Sequence, residues 1–232
     1  MKQKQTQSDL FGTEKFLFAD SCLLEFEKKA KAEGHSFIAG IDEAGRGCCA
    51  GPVVAAAVIF TDWSHIPADI NDSKQLTPEK RMDIRRRLLA DDKVIWSVGM
   101  VHADEIDKIN ILQASWKAMG IALDGIAQAD FALVDGNPVK GLSRPSRSIV
   151  KGDAKSASIA AASILAKTTR DLWMEEAAEQ YPLYAFEVHK GYCTALHTER
   201  LRLHGPCPIH RLTFEPVRSI VSPPEFIESE LF

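Results

Sequence analysis

The chain has 232 residues, 45% of them hydrophobic, so it can bury one large core or a main domain with a small appendage. Its net charge of −4 argues against nonspecific coating of nucleic acid, and five cysteines without CxxC spacing argue against a secreted disulfide scaffold. The N-terminus is polar and no apolar run approaches transmembrane length. We therefore expect a cytoplasmic monomer without a membrane span.

The predicted elements alternate between strands and helices. In chain order they are a flexible tail over residues 1–13, a helix over Glu14–Glu33, strands over Phe37–Ile41 and Pro52–Phe60, a helix from Thr77 to about Ala90, a strand over Val94–Val101, a helix over Ile111–Gln128, strands over Phe131–Asp135 and Ser148–Val150, and helices over Ala154–Gln180 and Thr194–His204. This order predicts an α/β fold with a mixed sheet. We divide it into a main domain over residues 14–185 and a C-terminal helical extension with a tail over 186–232.

Four acidic residues stand out by their positions. Asp42 and Glu43 follow one apolar strand and Asp135 ends another, where α/β sheets usually place their sites. Asp171 lies inside the long alanine-rich helix, on one face with Lys167. Each acid alone fits a turn cap or an ion pair, but four carboxylates brought together need divalent ions to neutralise their repulsion. Hard oxygen ligands favour Mg²⁺ or Mn²⁺ over Zn²⁺.

Two segments are locally basic despite the acidic whole. Residues 139–171 hold seven basic side chains against two acids, and residues 188–212 hold four against one. They fit either a phosphate-binding surface or solvated helix faces. Other functions stay open at this point. They are a catalytically silent nucleic-acid binder, a metal-independent hydrolase of the glycosidase type, which 8% scattered aromatics do not favour, and a zinc site on Cys207 and His210.

Several motifs, in order along residues 38–217, resemble those of the ribonuclease HII family. They are GIDEAGRG followed by GPVVAAAVI, then NDSKQLTPEKR, LVDGN, KGDAKSASIAAASILAKTTRD, and HKGYCT followed by HGPCPIHRLTFEPV. The resemblance implies an RNase H-like sheet flanked by helices, with a C-terminal helical extension. It also implies that Asp42, Glu43, Asp135 and Asp171 are the catalytic acids that bind two Mn²⁺ or Mg²⁺ ions.

The resemblance further implies a reaction and its substrate contacts. The enzyme would hydrolyse the phosphodiester on the 5′ side of a ribonucleotide embedded in duplex DNA, or in the RNA strand of an RNA·DNA hybrid. The products would carry a 3′-hydroxyl and a 5′-phosphate, and the reaction would serve ribonucleotide removal in DNA replication and repair. Because glycines lack side chains, the backbone of Gly45–Gly47 could approach a ribose and bond its 2′-hydroxyl. The proposed substrate contacts are Gly45, Arg46, Gly47, Tyr192 against the following sugar, and Lys74, Ser73, Lys155 and Lys167 near phosphates.

Two departures from the family pattern bring thiols to the ribose-contacting segments. Cys48 and Cys49 stand where Pro-Leu or a similar pair is common, and Cys193 stands where glycine is common. We expect reagents that modify these thiols to weaken substrate binding, and the requirement for a ribonucleotide junction to be affected.

Both ends of the chain carry a Leu-Phe pair in a polar context. Gln7–Phe11 reads QSDLF and Ser229–Phe232 reads SELF. These segments resemble the short peptides by which bacterial replication proteins dock on the sliding clamp, which is therefore an expected partner. Packing of the tail on its own domain is the alternative.

Overall fold

The structure is a computed structural model that describes residues 21–70 and 73–222. The predicted clamp-binding segments Gln7–Phe11 and Ser229–Phe232 lie outside the described residues, as does the start of the predicted first helix. The described helices are α1 (Glu25–Ala32), α2 (Pro78–Ala90), α3 (Ala103–Asp124), α4 (Ala157–Gln180), α5 (Phe186–His189), α6 (Ala195–His204) and α7 (Val217–Val221). Short 3-10 turns cover Ser21–Leu24, Trp63–His65, Ser73–Gln75 and Gly152–Ala154.

Five strands form one mixed sheet, as predicted. They are β1 (Ile38–Ala44), β2 (Val53–Phe60), β3 (Val94–Val101), β4 (Phe131–Asp135) and β5 (Ser146–Ile149), and their order in the sheet is β3-β2-β1-β4-β5. The strands β1, β2 and β3 pair antiparallel, whereas β4 pairs parallel to both β1 and β5. The register sets Ile41 opposite Val134, so the C-terminal ends of β1 and β4 lie side by side.

Helices cover both faces of the sheet, so β2 is buried along its whole length. Ala56 and Val58 pack into the core under α4 and α2, while Ala55 and Ala57 pack into the core under α3, because successive side chains of a strand point to opposite faces. Gly40 lets α4 lie close to β1, since a Cβ there would stand 2.1 Å from the carbonyl carbon of Ser158.

The structure differs from the sequence prediction at the end of β1. The antiparallel ladder with β2 continues as far as Ala44, so Asp42 and Glu43 lie inside the strand and not in a turn after it. Their side chains therefore point to opposite faces of the sheet. Apolar content alone ended the predicted strand at Ile41, whereas hydrogen bonding to β2 sets its true end.

Helix α3 also begins earlier than predicted, at Ala103 instead of Ile111. A kink at Asn110, where φ is 66° and ψ is 163°, interrupts the apolar periodicity, so the sequence pattern does not predict the first half of the helix. The Asn110 side chain accepts hydrogen bonds from the backbone N–H of Leu112 and Gln113, so it starts the second half as a cap would.

The C-terminal helices pack directly against the sheet domain. Phe186 shares a buried cluster with Ala50 and Met174, and Leu201 shares another with Cys49. The division into domains at residue 186 stays a prediction. No helix in the part of the chain described here is long and apolar enough to span a membrane.

Candidate active site

Three carboxylates meet where β1 and β4 end. Oxygen atoms of Asp42, Asp135 and Asp153 all lie within 4.8 Å of one another. Asp42 comes from β1, Asp135 is the last residue of β4, and Asp153 comes from the 3-10 turn that precedes α4. That turn is held in place because the N–H of Gly152 donates to Asp135 Oδ1 at 2.6 Å. Strand pairing and this hydrogen bond thus bring together acids that are far apart in sequence.

Asp42 lies buried between strand β1 and helix α4. It is 6% exposed, and its Oδ1 accepts a hydrogen bond from the N–H of Glu43 at 2.7 Å. Burial, and then the neighbouring carboxylates of Glu43 and Asp135, raise the pKa of Asp42 well above its ordinary value, while a hydrogen bond with Ser163 lowers it. A divalent ion would relieve this repulsion, and the all-oxygen donor set fits Mg²⁺ or Mn²⁺.

Glu43 approaches the cluster from the opposite face of the sheet. Together with Asp135 it lines a cavity of about 230 Å³ that also borders α3. Its Oε1 accepts a hydrogen bond from Arg46 Nη1 at 3.0 Å. Burial raises the pKa of Glu43, the Arg46 guanidinium lowers it, and the charge of Asp135 raises it further. Glu43 is therefore near Asp135 but lies outside the compact group of three.

The structure does not bring Asp171 to the other acids. An α-helix rises about 1.5 Å per residue, so Asp171 lies about 12 Å along α4 from Ser163, the residue beside Asp42. Its Oδ1 instead accepts a hydrogen bond from Lys167 Nζ at 2.7 Å, on the face predicted from the spacing. Asp153, and not Asp171, completes the compact group with Asp42 and Asp135.

The sequence contained a signal for Asp153 that helix spacing obscured. Asp153 follows a glycine and precedes Ser156, which caps α4 by accepting a hydrogen bond from the N–H of Ile159. An acid in the turn before a capped helix is placed at the end of the helix that faces the strand termini. The helix face that Asp171 shares with Lys167 indicates a polar site, but a shared face does not say how far along the helix that site lies.

The predicted phosphate contacts occupy different environments. Ser73 is buried, and its Oγ lies 2.8 Å from Ser163 Oγ, which places it behind Asp42 and away from solvent. Lys74 is close to the cluster, since its Nζ lies 3.6 Å from Asp153 Oδ2 and its side chain is 80% exposed. Lys155 is exposed and donates to the carbonyl of Val150 at 2.8 Å.

The glycine-flanked turn follows β1 directly. Gly45 is buried with φ of 95°, and a Cβ there would stand 2.1 Å from Arg170 Nε, so glycine is required for the fold itself. Arg46 and Gly47 are exposed, and no atom lies within 4 Å of the position of a Gly47 Cβ. Gly45 is therefore required by packing in the interior, whereas Gly47 leaves open space on the exposed side of the turn.

Tyr192 borders a groove beside the same turn. It is 44% exposed and lines, with Lys167 and Asp171, a groove of about 630 Å³ between α2, α4 and the segment before α6. The Lys167 Nζ lies 5.5 Å from the centre of the Tyr192 ring. Burial raises the pKa of Tyr192. An exposed aromatic face next to a cation fits an extended anionic ligand with flat or ring-shaped parts.

The thiols lie near these segments, but two of them are shielded. Cys48 and Cys49 are 0% and 1% exposed, and burial raises the pKa of both. Cys193 is exposed. Burial and the raised pKa both disfavour a reactive thiolate at Cys48 and Cys49, so Cys193 is the accessible thiol of the three. The weakening of substrate binding by thiol reagents stays a prediction.

The zinc alternative finds no support in the geometry. Cys207 Sγ lies 3.1 Å from His210 Nδ1, and His210 Nε2 lies 3.0 Å from His197 Nε2, so these side chains bond one another in a chain. Over residues 21–70 and 73–222, the only group of three or more His, Cys, Asp or Glu side chains arranged to share an ion is the acid cluster.

The mixed sheet, its strand order and the carboxylates at the ends of β1 and β4 define a hydrolase with an RNase H-like fold. The family model for Ribonuclease HII matches residues 39–217, and the chain belongs to that family. A ribonuclease HII from Endomicrobium trichonymphae is 52% identical over 204 residues, which cover 87% of this chain and 96% of that protein. The chain is thus a ribonuclease H, an endonuclease that acts on RNA paired with DNA.

Solved structures agree with this assignment. The crystal structure of the ribonuclease H2 from Pyrococcus horikoshii OT3 matches with a TM-score of 0.65 and 29% identity, over 79% of this chain and 96% of that one. The structure of the PCNA:RNase HII complex from Archaeoglobus fulgidus matches with a TM-score of 0.64 over 77% of this chain and 95% of that one, and at 24% identity it supports the fold alone. The silent-binder and glycosidase alternatives are set aside.

Proposed function

We propose that the protein hydrolyses the phosphodiester on the 5′ side of ribonucleotides embedded in duplex DNA, and the RNA strand of RNA·DNA hybrids, leaving a 3′-hydroxyl and a 5′-phosphate. The observation that carries the proposal is the group of Asp42, Asp135 and Asp153 within 4.8 Å, directly before the Gly45–Gly47 turn, in which Arg46 and Gly47 are exposed. Hydrolytic groups and a surface for sugar contact are thereby adjacent. We assign the activity to ribonucleotide removal during DNA replication and repair, in a cytoplasmic monomer.

The proposed ligands for two divalent ions, Mn²⁺ or Mg²⁺, are Asp42, Asp135, Asp153 and Glu43. When bound, such ions supply an activated water and stabilise the leaving 3′-oxygen. The protein fixes the ligands beforehand: Ser163 and the N–H of Glu43 hold Asp42, and the N–H of Gly152 holds Asp135. Asp171 is proposed to act differently, as the anion that holds Lys167 beside Tyr192.

Substrate recognition is proposed to use the surface next to the acids. The exposed backbone of Arg46 and Gly47 would contact the ribose, and Tyr192 would stack on the sugar that follows it. Lys74, whose Nζ is close to Asp153, would contact the scissile phosphate, and Lys167 and Lys155 would contact neighbouring phosphates. Ser73 supports Ser163 and Asp42 and is not assigned a phosphate, because it is buried.

Cleavage of three matched duplexes tests the proposal. One carries a single ribonucleotide, one is all DNA, and one is an RNA·DNA hybrid, each incubated with Mg²⁺, Mn²⁺ or EDTA. We expect cleavage of the first and third only, only with a divalent ion, and with 3′-hydroxyl and 5′-phosphate ends. Cleavage in EDTA, or a 2′,3′-cyclic phosphate end, would contradict the proposal, because the ribose hydroxyl and not water would then be the nucleophile.

We also propose that Gln7–Phe11 or Ser229–Phe232 docks on a sliding clamp. The sequence resemblance supports this, and the Archaeoglobus fulgidus protein has been solved as a PCNA:RNase HII complex. In a pull-down, purified clamp should retain the intact chain. Binding should be lost when the docking segment is removed, which chains without residues 1–13, without residues 229–232 and without both will identify. Failure of the intact chain to bind would end the proposal without touching the cleavage reaction.

A further inference from the structure

A single buried arginine holds the Gly45–Gly47 turn from the inside. Arg211, which follows α6, is 0% exposed. Its Nη2 donates to the carbonyl of Gly45 at 2.7 Å, and its Nη1 donates to the carbonyl of Arg46 at 3.0 Å. Its Nε and Nη2 also donate to the carbonyl of Gly51, at 3.0 and 2.9 Å. The guanidinium thereby binds carbonyls at both ends of the segment that contains the turn.

These hydrogen bonds determine which way the amide groups of the turn point. In a planar trans peptide, a carbonyl and the following N–H point in opposite directions. Because Arg211 binds the carbonyls of Gly45 and Arg46, the N–H groups of Arg46 and Gly47 face away from it, toward the exposed side. Neither of these N–H groups donates a hydrogen bond to any other residue that the structure describes. They are two donors fixed in direction and open to a ligand.

A second buried arginine joins the turn to the Tyr192 segment. Arg170 of α4 is 0% exposed and donates to the carbonyls of Ala50 and Pro52, each at 2.9 Å, and of Lys190 at 2.8 Å. The N–H of Cys49 donates to the carbonyl of Gly191 at 3.1 Å. The hydrogen bonds of Arg170 and Cys49 therefore connect the turn with the segment that contains Tyr192.

The two arginines carry charge without a carboxylate partner. Neither forms an ion pair with any residue in the ranges described, and both bond backbone carbonyls only. Burial, and then the charge of Arg170, lower the pKa of Arg211 to about 10, so it stays protonated at neutral pH. A buried cation satisfied only by carbonyls is unfavourable compared with an apolar side chain. This arrangement is better explained by a need to orient those carbonyls than by stability.

We propose that Arg211 is a positioning residue for sugar discrimination: by binding the Gly45 and Arg46 carbonyls, it presents the N–H groups of Arg46 and Gly47 to a ribose 2′-hydroxyl oxygen. The inference rests on the proposed function and deepens it. A deoxyribose has no acceptor at that position, so its binding would leave the two donors without a partner after they lose water. Discrimination thus depends on a residue that does not contact the substrate.

Equilibrium binding to two duplexes that differ by one 2′-hydroxyl tests the inference. All chains carry Asp42→Asn, which removes a proposed ligand so that the duplex stays intact. The unmodified full chain is assayed for cleavage in parallel: no cleavage there would defeat the proposed function, whereas the binding ratio addresses Arg211 alone. The variants are Arg211→Gln, which loses the charge and most donors, and Arg211→Lys, which keeps the charge.

We expect Arg211→Gln to reduce the preference for the ribonucleotide duplex by about tenfold or more, and Arg211→Lys to restore part of it. The matched control is Arg144→Gln, because Arg144 also donates to backbone carbonyls, those of Ala129 and Ser143, at the opposite end of β4. Its preference should equal that of the parent. A loss of stability alone would weaken both affinities equally and leave their ratio unchanged.

Two results would overturn the inference. One is a folded Arg211→Gln chain, verified by circular dichroism, that keeps the parental ratio of affinities. If only Arg211→Lys folds, the inference is equally overturned when its structure lacks the hydrogen bonds to the Gly45 and Arg46 carbonyls and its ratio of affinities is unchanged. The other is failure of both variants to fold, which would make Arg211 a structural residue without a separable role in discrimination.

Discussion

At the scale of single residues, Asp42 shows how a functional group conflicts with stability. It is buried, and the carboxylates of Glu43 and Asp135 lie nearby, so burial and these charges raise its pKa. Ser163 and the N–H of Glu43 offset only part of the repulsion. A site that binds cations must hold its acids together before the cation arrives, and the rest of the fold has to stabilise that arrangement.

Asp42→Asn should therefore stabilise the metal-free protein while it abolishes cleavage. Asparagine keeps the shape and the oxygen that accepts from Glu43 but removes the charge. We expect a rise of about 2 to 4 °C in Tm without metal, which corresponds to about 1 kcal/mol in a chain of this size. Thermal unfolding in EDTA measures it, and Asp104→Asn, at an exposed position in the first turn of α3, serves as control. A lower Tm for Asp42→Asn would show that the charge is not repelled there.

Asp153 and Asp171 give a second prediction at this scale. Asp153→Asn removes a carboxylate from the compact group and should lower kcat by about a thousandfold or more with little change in KM. Asp171→Asn frees Lys167 beside Tyr192, so we expect at most about a tenfold loss, expressed in KM. Steady-state kinetics on the single-ribonucleotide duplex separate the two. An inactive Asp171→Asn with an active Asp153→Asn would restore the assignment made from sequence.

At the scale of elements, local patterns predicted most of the fold. The strand Val94–Val101 and the strand Phe131–Asp135 have the predicted bounds, and Thr77 caps α2 as its sequence indicates. The patterns failed where tertiary contacts decide the outcome. Pairing with β2 extends β1 through Glu43, and the strained backbone at Asn110 hides the start of α3. Local patterns also did not indicate that Asp153 joins Asp42 and Asp135, because distance to a sheet edge is a property of packing.

The Gly45–Gly47 turn allows an element-scale prediction with an internal control. Gly45→Ala places a Cβ in positive φ and against Arg170 Nε, so it should reduce the free energy of unfolding by roughly 2 kcal/mol or more. Gly47→Ala meets open space, and should change stability by less than about 0.5 kcal/mol while it weakens binding of the ribonucleotide duplex. Urea unfolding and duplex binding check both. Equal destabilisation by the two variants would contradict the division of roles between the glycines.

At the scale of the whole molecule, the C-terminal extension completes the site. Arg211 reaches the turn after β1, and Cys49 of that segment packs with Leu201 and Val217. The Nδ1–H of His197 donates to the carbonyl of Tyr192 at 2.9 Å, and His197 Nε2 lies 3.0 Å from His210 Nε2. The sequence predicted a basic C-terminal extension, but not that His197, His210 and Arg211 are buried. The rings of His197 and His210 pack against Phe186, which no local pattern reveals.

The buried histidines make stability depend on pH across the whole molecule. His197 and His210 are 0% and 2% exposed, and burial lowers the pKa of each to about 4. An unfolded histidine titrates near 6.5, so between these values the unfolded chain binds more protons than the native one. Stability is therefore fully present above about pH 6.5 and falls as the pH drops toward 4, by on the order of 3 kcal/mol for each histidine that titrates independently.

Asp42 changes the free energy of unfolding with pH in the opposite direction, because a carboxyl with a raised pKa takes up a proton more readily in the native state. A single profile of stability against pH therefore mixes the two effects. The difference between the parent and His197→Gln isolates the histidine part. We expect urea unfolding between pH 7.5 and 5 to show a shallower loss of stability for His197→Gln than for the parent. His204→Gln, at an exposed position of α6, should keep the parental slope. If the free energy of unfolding has the same slope against pH in all three chains, the buried histidines gain no proton on unfolding. The contact between His197 and the Tyr192 carbonyl would then not weaken with acid.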